Sequence, residues 1–149
     1  MGLTIRLLTV LALGSAQLAA QAAQPGSAQE LWDDYVELGT AFDPSLAELY
    51  ANDAVIHLTR RYPDGHTRTL ELNGKQYKAL VREAMPLARS RGDVDLYSNV
   101  QFQDLGDRTR ITATRYSTLK KYQAPHELIV GNRDGTGWKI LKETGESRP

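Results

Sequence analysis

One arginine in the second half of the sequence, Arg115, is a candidate for ligand binding. If Asp104 pairs with Asp107 across a turn at Leu105-Gly106, alternate residues of two strands share a face. That face carries Val94, Leu96, Ser98, Val100, Phe102, Ile111, Ala113, Arg115 and Ser117. Arg115 is its only charged residue, and burying a charge is costly unless a partner compensates it. We therefore expect a definite partner for Arg115.

Two kinds of partner suit this arginine. A planar guanidinium fits an acidic or carbonyl-bearing ligand, and the hydroxyls of Ser98 and Ser117 would add hydrogen bonds to it. The alternative is a structural ion pair between Arg115 and a helix carboxylate such as Glu37 or Glu48. The first interpretation predicts a ligand anchor, and the second predicts a purely structural role.

The stretch RRYPDGHTR, residues 60–68, concentrates cationic side chains around a tight turn. A three-residue PDG loop would place Arg60 opposite Arg68 and Tyr62 opposite His66. Like charges directly opposed on two strands repel unless an anion lies between them. The stretch is therefore either an anion-binding tip or a solvated tip that keeps a sheet edge from aggregating.

Motifs for metal, nucleophilic and phosphate-binding sites are missing from the sequence. It has no cysteine, and its three histidines lie on separate segments without HxH or HExxH spacing. No GxSxG motif or glycine-rich phosphate loop is present, so we predict neither a metal nor a cofactor.

Acid/base chemistry needs a carboxylate or histidine that faces a pocket beside a hydroxyl donor. The strand faces predicted to point inward carry no carboxylate. Asp53, His57 and Tyr35 are the remaining candidates, and Tyr35 is also a candidate for ligand binding. The catalytic residues stay unassigned at this level.

Helix signals are clear in the first part of the chain. Ser27 can cap a first helix, and Asp43-Pro44 starts a short second one. Asn73 is expected to cap a third helix, which Pro86 should kink or end. The PDG hairpin precedes this third helix.

Strand signals dominate the remainder of the chain. Four strands are predicted at 94–103, 108–120, 126–133 and 137–143. A turn at Asp134-Gly135 would align Gly131 with Trp138, so Trp138 is predicted to be buried over that glycine. Helices followed by an antiparallel meander indicate an α+β domain with the helices on one face of the sheet.

The N-terminus has the pattern of a secretory signal peptide. Arg6 precedes an apolar run, and Ala20-Gln21-Ala22 offers a cleavage site. The run is too short and alanine-rich for a membrane span, so we expect a periplasmic or secreted protein with no stable membrane insertion after processing. The alternative is an uncleaved N-terminal anchor. The predicted division is a signal peptide at 1–22, a flexible leader at 23–27, one domain at 28–145 and a flexible tail at 146–149.

Charge gives no sign of a nucleic-acid partner, because lysine plus arginine and aspartate plus glutamate both number 18.

Three segments of the sequence resemble the nuclear transport factor 2-like, or SnoaL-like, superfamily. They are LAELYANDAVIHL at 46–58, the third helix opening at NGKQY, and GTGWKILKE at 135–143. The resemblance implies a cone-shaped, curved antiparallel sheet covered on one face by three helices, with a pocket between them. It also implies frequent dimerisation through the outer face of the sheet.

Three classes of function agree with these observations, because a fold does not determine a function. The first is binding of a small, including anionic, ligand in the cone by Arg115, Tyr35, Ser98, Ser117, Arg60 and Arg68. The second is a lyase, isomerase or hydrolase with an acid/base residue in the same cavity. The third is a protein interaction module that uses the sheet face. A carboxylate or histidine beside a tyrosine in the cone would favour the second class.

Overall fold

The computed structural model describes residues 24–149 of the chain. The predicted signal peptide and the predicted cleavage point lie outside the described residues. The helical elements are α1 (Ala28–Thr40), a 3₁₀ helix (Pro44–Leu49) and α2 (Gly74–Arg91). The strands are β1 (Tyr50–Arg61), β2 (Thr67–Asn73), β3 (Asp95–Asp104), β4 (Arg108–Ser117), β5 (Tyr122–Gly131) and β6 (Lys139–Ser147).

Each helical element begins at the cap that the sequence predicts. The Ser27 side chain accepts a hydrogen bond from the backbone of Glu30, and Asp43 does the same for Ser45 at the 3₁₀ helix. Asn73 and Gln76 form a reciprocal capping box at α2. Such caps satisfy backbone donors that would otherwise lack partners in the first helical turn.

Helix α2 does not end at Pro86, which was one of the two outcomes predicted for this residue. The helix continues through this residue to Arg91 and ends only where Gly92 adopts a left-handed conformation, with φ of 64°. Gly92 therefore terminates the helix, as glycine commonly does.

The six strands form one curved, unclosed sheet in the order β2-β1-β6-β5-β4-β3, with the helices on one side. The α+β fold predicted from the sequence is confirmed. Neighbouring strands are antiparallel except β1 and β6, which run parallel. The hairpin register is also confirmed, since Arg60 lies opposite Arg68 and Tyr62 N donates to His66 O at 3.0 Å.

Two bulges change which side chains face the helices. In β3 the register shifts between Ser98 and Gln101, where Asn99 has φ of 52°. In β6, Leu141 is an extra residue between the pairs Ile140–Val130 and Lys142–Ile129. A bulge of this kind reverses the alternation of faces along the rest of the strand. The reversal brings Tyr97 and Asp95 in β3 and Glu143 in β6 to the inner face.

The loop before β6 overturns the predicted position of Trp138, because the register at Gly131 is already shifted by one residue on the loop side of the bulge. Gly131 pairs with Lys139, and the side chain nearest to Gly131 is that of Leu141, so Trp138 does not cover this glycine. Trp138 is only half-buried, and it packs against the edge of the core.

Both predicted flexible ends contain ordered contacts. The backbone N–H of Trp138 donates to the carbonyl of Pro25 at 3.1 Å, and Pro25 is buried. Strand β6 extends through Glu146 and Ser147, which had been assigned to the tail. The folded domain therefore includes residues on both sides of the predicted range 28–145.

Candidate functional site

A cavity of about 340 Å³ lies between the inner face of the sheet and the helices. Apolar side chains from the helices form much of its wall, among them Val36 of α1, Leu46 of the 3₁₀ helix and Leu80, Val81 and Met85 of α2. The sheet contributes the polar groups. We call this space the cone cavity.

A buried carboxyl group lines the cone cavity. Glu143 of β6 is 3% exposed, and the hydroxyl of Tyr50 donates a hydrogen bond to its Oε2. Burial raises the pKa of Glu143 to about 7, although the hydrogen bond from Tyr50 and the positive charge of Arg115 both act to lower it. This carboxyl group can therefore exchange a proton near neutral pH.

A second set of polar side chains, Tyr35, His126 and Tyr97, is linked by hydrogen bonds between α1, β5 and β3. The hydroxyl of Tyr35 lies 3.0 Å from Nε2 of His126, and the hydroxyl of Tyr97 donates to that of Tyr35 at 3.5 Å. Burial, helped by the positive charge of Arg115, lowers the pKa of His126 to about 3. The imidazole is therefore neutral at physiological pH, and one of its nitrogens carries hydrogen.

The surroundings of His126 indicate which nitrogen that is. Its Nδ1 is buried without a hydrogen-bond partner, beside Gly145. An orphaned buried N–H is rarer in proteins than an orphaned acceptor. We therefore assign the hydrogen to Nε2, which donates to the oxygen of Tyr35. The Tyr35 oxygen then accepts hydrogen bonds, and its own O–H is free to point into the cone cavity.

The predicted partner of Arg115 proves to be on a strand instead of a helix. Nη1 donates to Oδ1 of Asp95 at 2.8 Å, and Nη2 donates to the hydroxyl of Tyr122 at 2.8 Å and to the carbonyl of Glu146 at 2.6 Å. Arg115 is 14% exposed and lines the cone cavity, but Asp95 compensates its charge. Neither Glu37 nor Glu48 pairs with Arg115, and Glu48 pairs with Arg82.

Of Tyr35, Ser117 and Ser98, which were also predicted to bind ligand, the first two lie on the inner side and Ser98 does not. Tyr35 lines the cone cavity with Arg115. Ser117 shares their face, but it is 2% exposed and its hydroxyl donates to Asp93 at 3.3 Å. Ser98 lies on the opposite face of the sheet, because the bulge at Asn99 reverses this part of β3.

The hairpin arginines do not reach the cone cavity. Arg60 and Arg68 are exposed, and neither lines the cavity. Arg60 lies over the ring of Tyr62, 5.7 Å from its centroid.

The two other candidates for acid/base chemistry also have partners outside the cone cavity. His57 contacts Glu71 across the hairpin at 3.2 Å. Asp53 forms an exposed ion pair with Arg133 at 2.6 Å.

Sequence reasoning missed Glu143, His126, Tyr97 and Asp95, all of which line the cone cavity. The expectation that no carboxylate faces the cavity was wrong, because Glu143 and Asp95 line it together with Asp93 and Glu146. The predicted strand 137–143 contains Glu143, but regular alternation without the bulge at Leu141 puts Glu143 on the face opposite to Ile140. No local signal in the sequence marks that bulge.

Within residues 24–149, no cluster of three or more histidine, aspartate or glutamate side chains has a geometry that would hold a metal ion. Over the same residues, no helix is both long and apolar enough to cross a membrane.

Comparison with known proteins finds similarity in structure alone. The sequence matches no protein-family model and no curated protein. A nuclear transport factor 2-like protein of unknown function from Pseudomonas putida superposes with a TM-score of 0.61, at 12% identity over 80% of this chain and 82% of that one. A similar protein of unknown function from Shewanella oneidensis superposes with a TM-score of 0.58, at 14% identity over 80% and 95%. A third, from Cytophaga hutchinsonii, gives a TM-score of 0.53 at 12% identity over 80% and 93%.

Proposed function

We propose that this chain, which has the nuclear transport factor 2-like fold, binds a small and mainly apolar molecule in the cone cavity and transfers a proton on it. Glu143 is the proton acceptor in this proposal. The observation that carries it is the position of the Glu143 carboxyl group, which lies on the wall of an apolar cavity close to tyrosine hydroxyls.

The size and lining of the cavity support a small, uncharged substrate. Its volume of about 340 Å³ lies near the lower end of the range of about 300–1,000 Å³ for ligand pockets. The charge of Arg115 is already compensated by Asp95, so an anionic substrate would gain less there than at a free arginine. The substrate class is therefore a compact, neutral molecule with an acidic C–H bond.

The residues can divide the chemistry between them. Ionised Glu143 takes a proton from carbon, and a pKa near neutrality keeps a useful fraction of both of its protonation states. The hydroxyl of Tyr35 donates a hydrogen bond to the oxygen on which negative charge develops. His126 and Tyr97 hold the Tyr35 oxygen in place. Return of the proton to another carbon completes an isomerisation, and return to a leaving group completes an elimination.

Proton transfer is tested with nitrobenzisoxazole, a flat, neutral compound that opens to a coloured phenolate when a base removes its ring proton. We expect the protein to accelerate this opening, with a rate that rises with pH around a midpoint near 7. Glu143→Gln should abolish the acceleration. Glu83→Gln, the same change at an exposed carboxyl group on α2, should leave it intact. Equal rates for the wild type and Glu143→Gln across the pH range would contradict the proposal.

Binding without chemistry is the second candidate. It is favoured by the internal partners of the polar groups, because Tyr50 bonds Glu143 and Asp95 pairs with Arg115. An apolar ligand would then enter the cavity with no role for the carboxyl group. Saturable binding of nitrobenzisoxazole without turnover would support this candidate.

Export is a separate part of the proposal and depends on the N-terminal sequence. A signal peptide cleaved before Ala23 would leave Pro25 available for its contact with Trp138. Mass spectrometry of the exported protein should find an N-terminus near Ala23, and retention of Met1 would contradict export by cleavage. Dimerisation through the outer face of the sheet stays a prediction, which sedimentation can test.

A further inference from the structure

A second cavity, of about 570 Å³, lies at the end of the sheet where three separate segments meet. These segments are the tip of the β1–β2 hairpin, the turn between β4 and β5, and the last residues of the chain. We call this space the tip cavity. It includes Arg61 and Tyr62 of the stretch 60–68, for which the cone cavity provides no role.

Four cations line the tip cavity: Arg61, Lys120, Lys121 and Arg148. Arg61 is paired, since its Nη2 donates to Oε1 of Glu146 at 3.1 Å. The other three cations form no salt bridge with any residue between 24 and 149. Among residues 24–149, no aspartate or glutamate lines this cavity. Glu146, the partner of Arg61, also lies close enough to Arg148 for their charges to interact, so the cavity keeps an excess of positive charge.

Aromatic and backbone groups hold part of this charge in position. The guanidinium of Arg148 lies over the ring of Tyr122, 5.6 Å from its centroid. Arg115 lies 5.4 Å from the centroid of the same ring. Nζ of Lys120 donates to the carbonyl of Arg148 at 3.3 Å, which leaves its other hydrogens free. The cations of the turn and of the C-terminal segment are thus fixed relative to each other.

The backbone at Lys121 supplies an independent observation. Its φ of 57° lies in the left-handed region, which glycine adopts readily and which costs energy for a long side chain. Lys121 N donates to the carbonyl of Ser117 at 2.8 Å, so the turn itself needs this conformation. Glycine would satisfy the turn better, yet a cation occupies it beside the cavity. Strain of this kind is often found at functional sites.

We propose that the tip cavity is a binding site for a small polyanion with more than one phosphate group. Cations from the turn and from the C-terminal segment reach the same space, so a ligand with several phosphate groups can contact both at once. A terminal carboxylate at Pro149 would offset one of the three charges without a salt bridge, and the excess would stay positive. The site is distinct from the cone cavity and independent of proton transfer by Glu143.

The test is calorimetric titration of the whole protein at low salt with pyrophosphate and, separately, with inorganic phosphate. We expect pyrophosphate to bind about tenfold more tightly than phosphate, since it reaches cations on two segments. Its affinity should fall as sodium chloride is raised, because salt screens the charges. No binding of pyrophosphate at millimolar concentration, or equal affinities for the two anions, would overturn the proposal.

Variants at one position separate this site from diffuse positive charge. Lys121→Gln and Lys121→Gly should each weaken pyrophosphate binding about tenfold, the usual cost of losing one charge-assisted hydrogen bond. Lys121→Gly should at the same time raise the melting temperature, because it relieves the left-handed backbone. Lys142→Gln removes an exposed cation from the middle of β6 and should change neither quantity. If Lys142→Gln weakens binding as much as Lys121→Gln, the tip cavity is not a site.

Discussion

The hydroxyl of Tyr50 donates its hydrogen to the carboxyl group of Glu143, and both side chains are almost fully buried where β1 and β6 run side by side. A carboxylate in such a place gains one hydrogen bond and loses its hydration, so its ionised form is destabilised overall. The same imbalance that makes Glu143 a proton acceptor also makes it a source of instability at high pH. Stability and chemistry can therefore be probed at one residue.

The first prediction concerns Glu143→Gln. In the folded state the pKa of Glu143 is about 7, above its ordinary value of 4.5. Between these two pH values the native protein therefore binds a proton at this carboxyl group that the unfolded chain does not bind. Its contribution to stability is present below about pH 4.5 and is lost as the pH rises through 7. Glutamine does not titrate, so the variant should gain about 3 kcal/mol relative to wild type between those limits.

Urea denaturation of both proteins at a series of pH values measures this difference directly. A constant difference in the free energy of unfolding between pH 5 and 8 would show that the carboxyl group is not perturbed by burial.

The second prediction concerns His126→Gln, for which the sign is opposite. The pKa of His126 is lowered from 6.5 to about 3. Between these two pH values the histidine is therefore protonated in the unfolded chain and neutral in the native protein. Wild-type stability therefore falls as the pH drops below about 6.5, by several kcal/mol from this group alone. His126→Gln should lose less stability on acidification than wild type does. A parallel acid transition in the two proteins would contradict the buried, neutral imidazole.

Local signals in the sequence were sufficient for most of the fold. Caps at Ser27, Asp43 and Asn73 were found because a side chain and its backbone partner lie a few residues apart. The hairpin register followed from the three-residue loop, since loop length restricts how the two strands can pair.

The candidate site was predicted less well, because it depends on the two bulges. A bulge is one extra residue in a strand. Leu141 does not differ in type from its neighbours in a way that indicates one, and Asn99, a residue type tolerated in the left-handed region, gives only a weak signal. Each bulge reverses the faces beyond it, so Ser98 was placed inside the cone and Glu143 outside. Pairing with distant strands determines these positions, and this information is not local in the sequence.

The third prediction uses two glycines in helices. A Cβ added at Gly74 would lie 1.8 Å from the carbonyl oxygen of Ala51, whereas one added at Gly39 would meet nothing within 4 Å. Gly74→Ala should therefore cost about 3 kcal/mol or more, because the start of α2 must move away from β1. Gly39→Ala should stabilise α1 by about 0.5–1 kcal/mol. Thermal denaturation compares the two, and similar effects at both positions would contradict the close packing of α2 on β1.

The last prediction separates the two interpretations of Arg115. Its guanidinium bonds Asp95, the Tyr122 hydroxyl and the carbonyl of Glu146, and all of these lose their donor in Arg115→Met. Removing one member of a partly buried ion pair leaves the other charge uncompensated, so this variant should lose about 3–5 kcal/mol.

Arg115→Lys keeps the charge but not the planar fork, and it should lose less than Arg115→Met. Adding Asp95→Asn to Arg115→Met should recover part of the loss, because no carboxylate is then left alone. Melting temperatures of the variants without any ligand decide the question. If Arg115→Met is as stable as wild type, the arginine is held for a ligand and not for the fold.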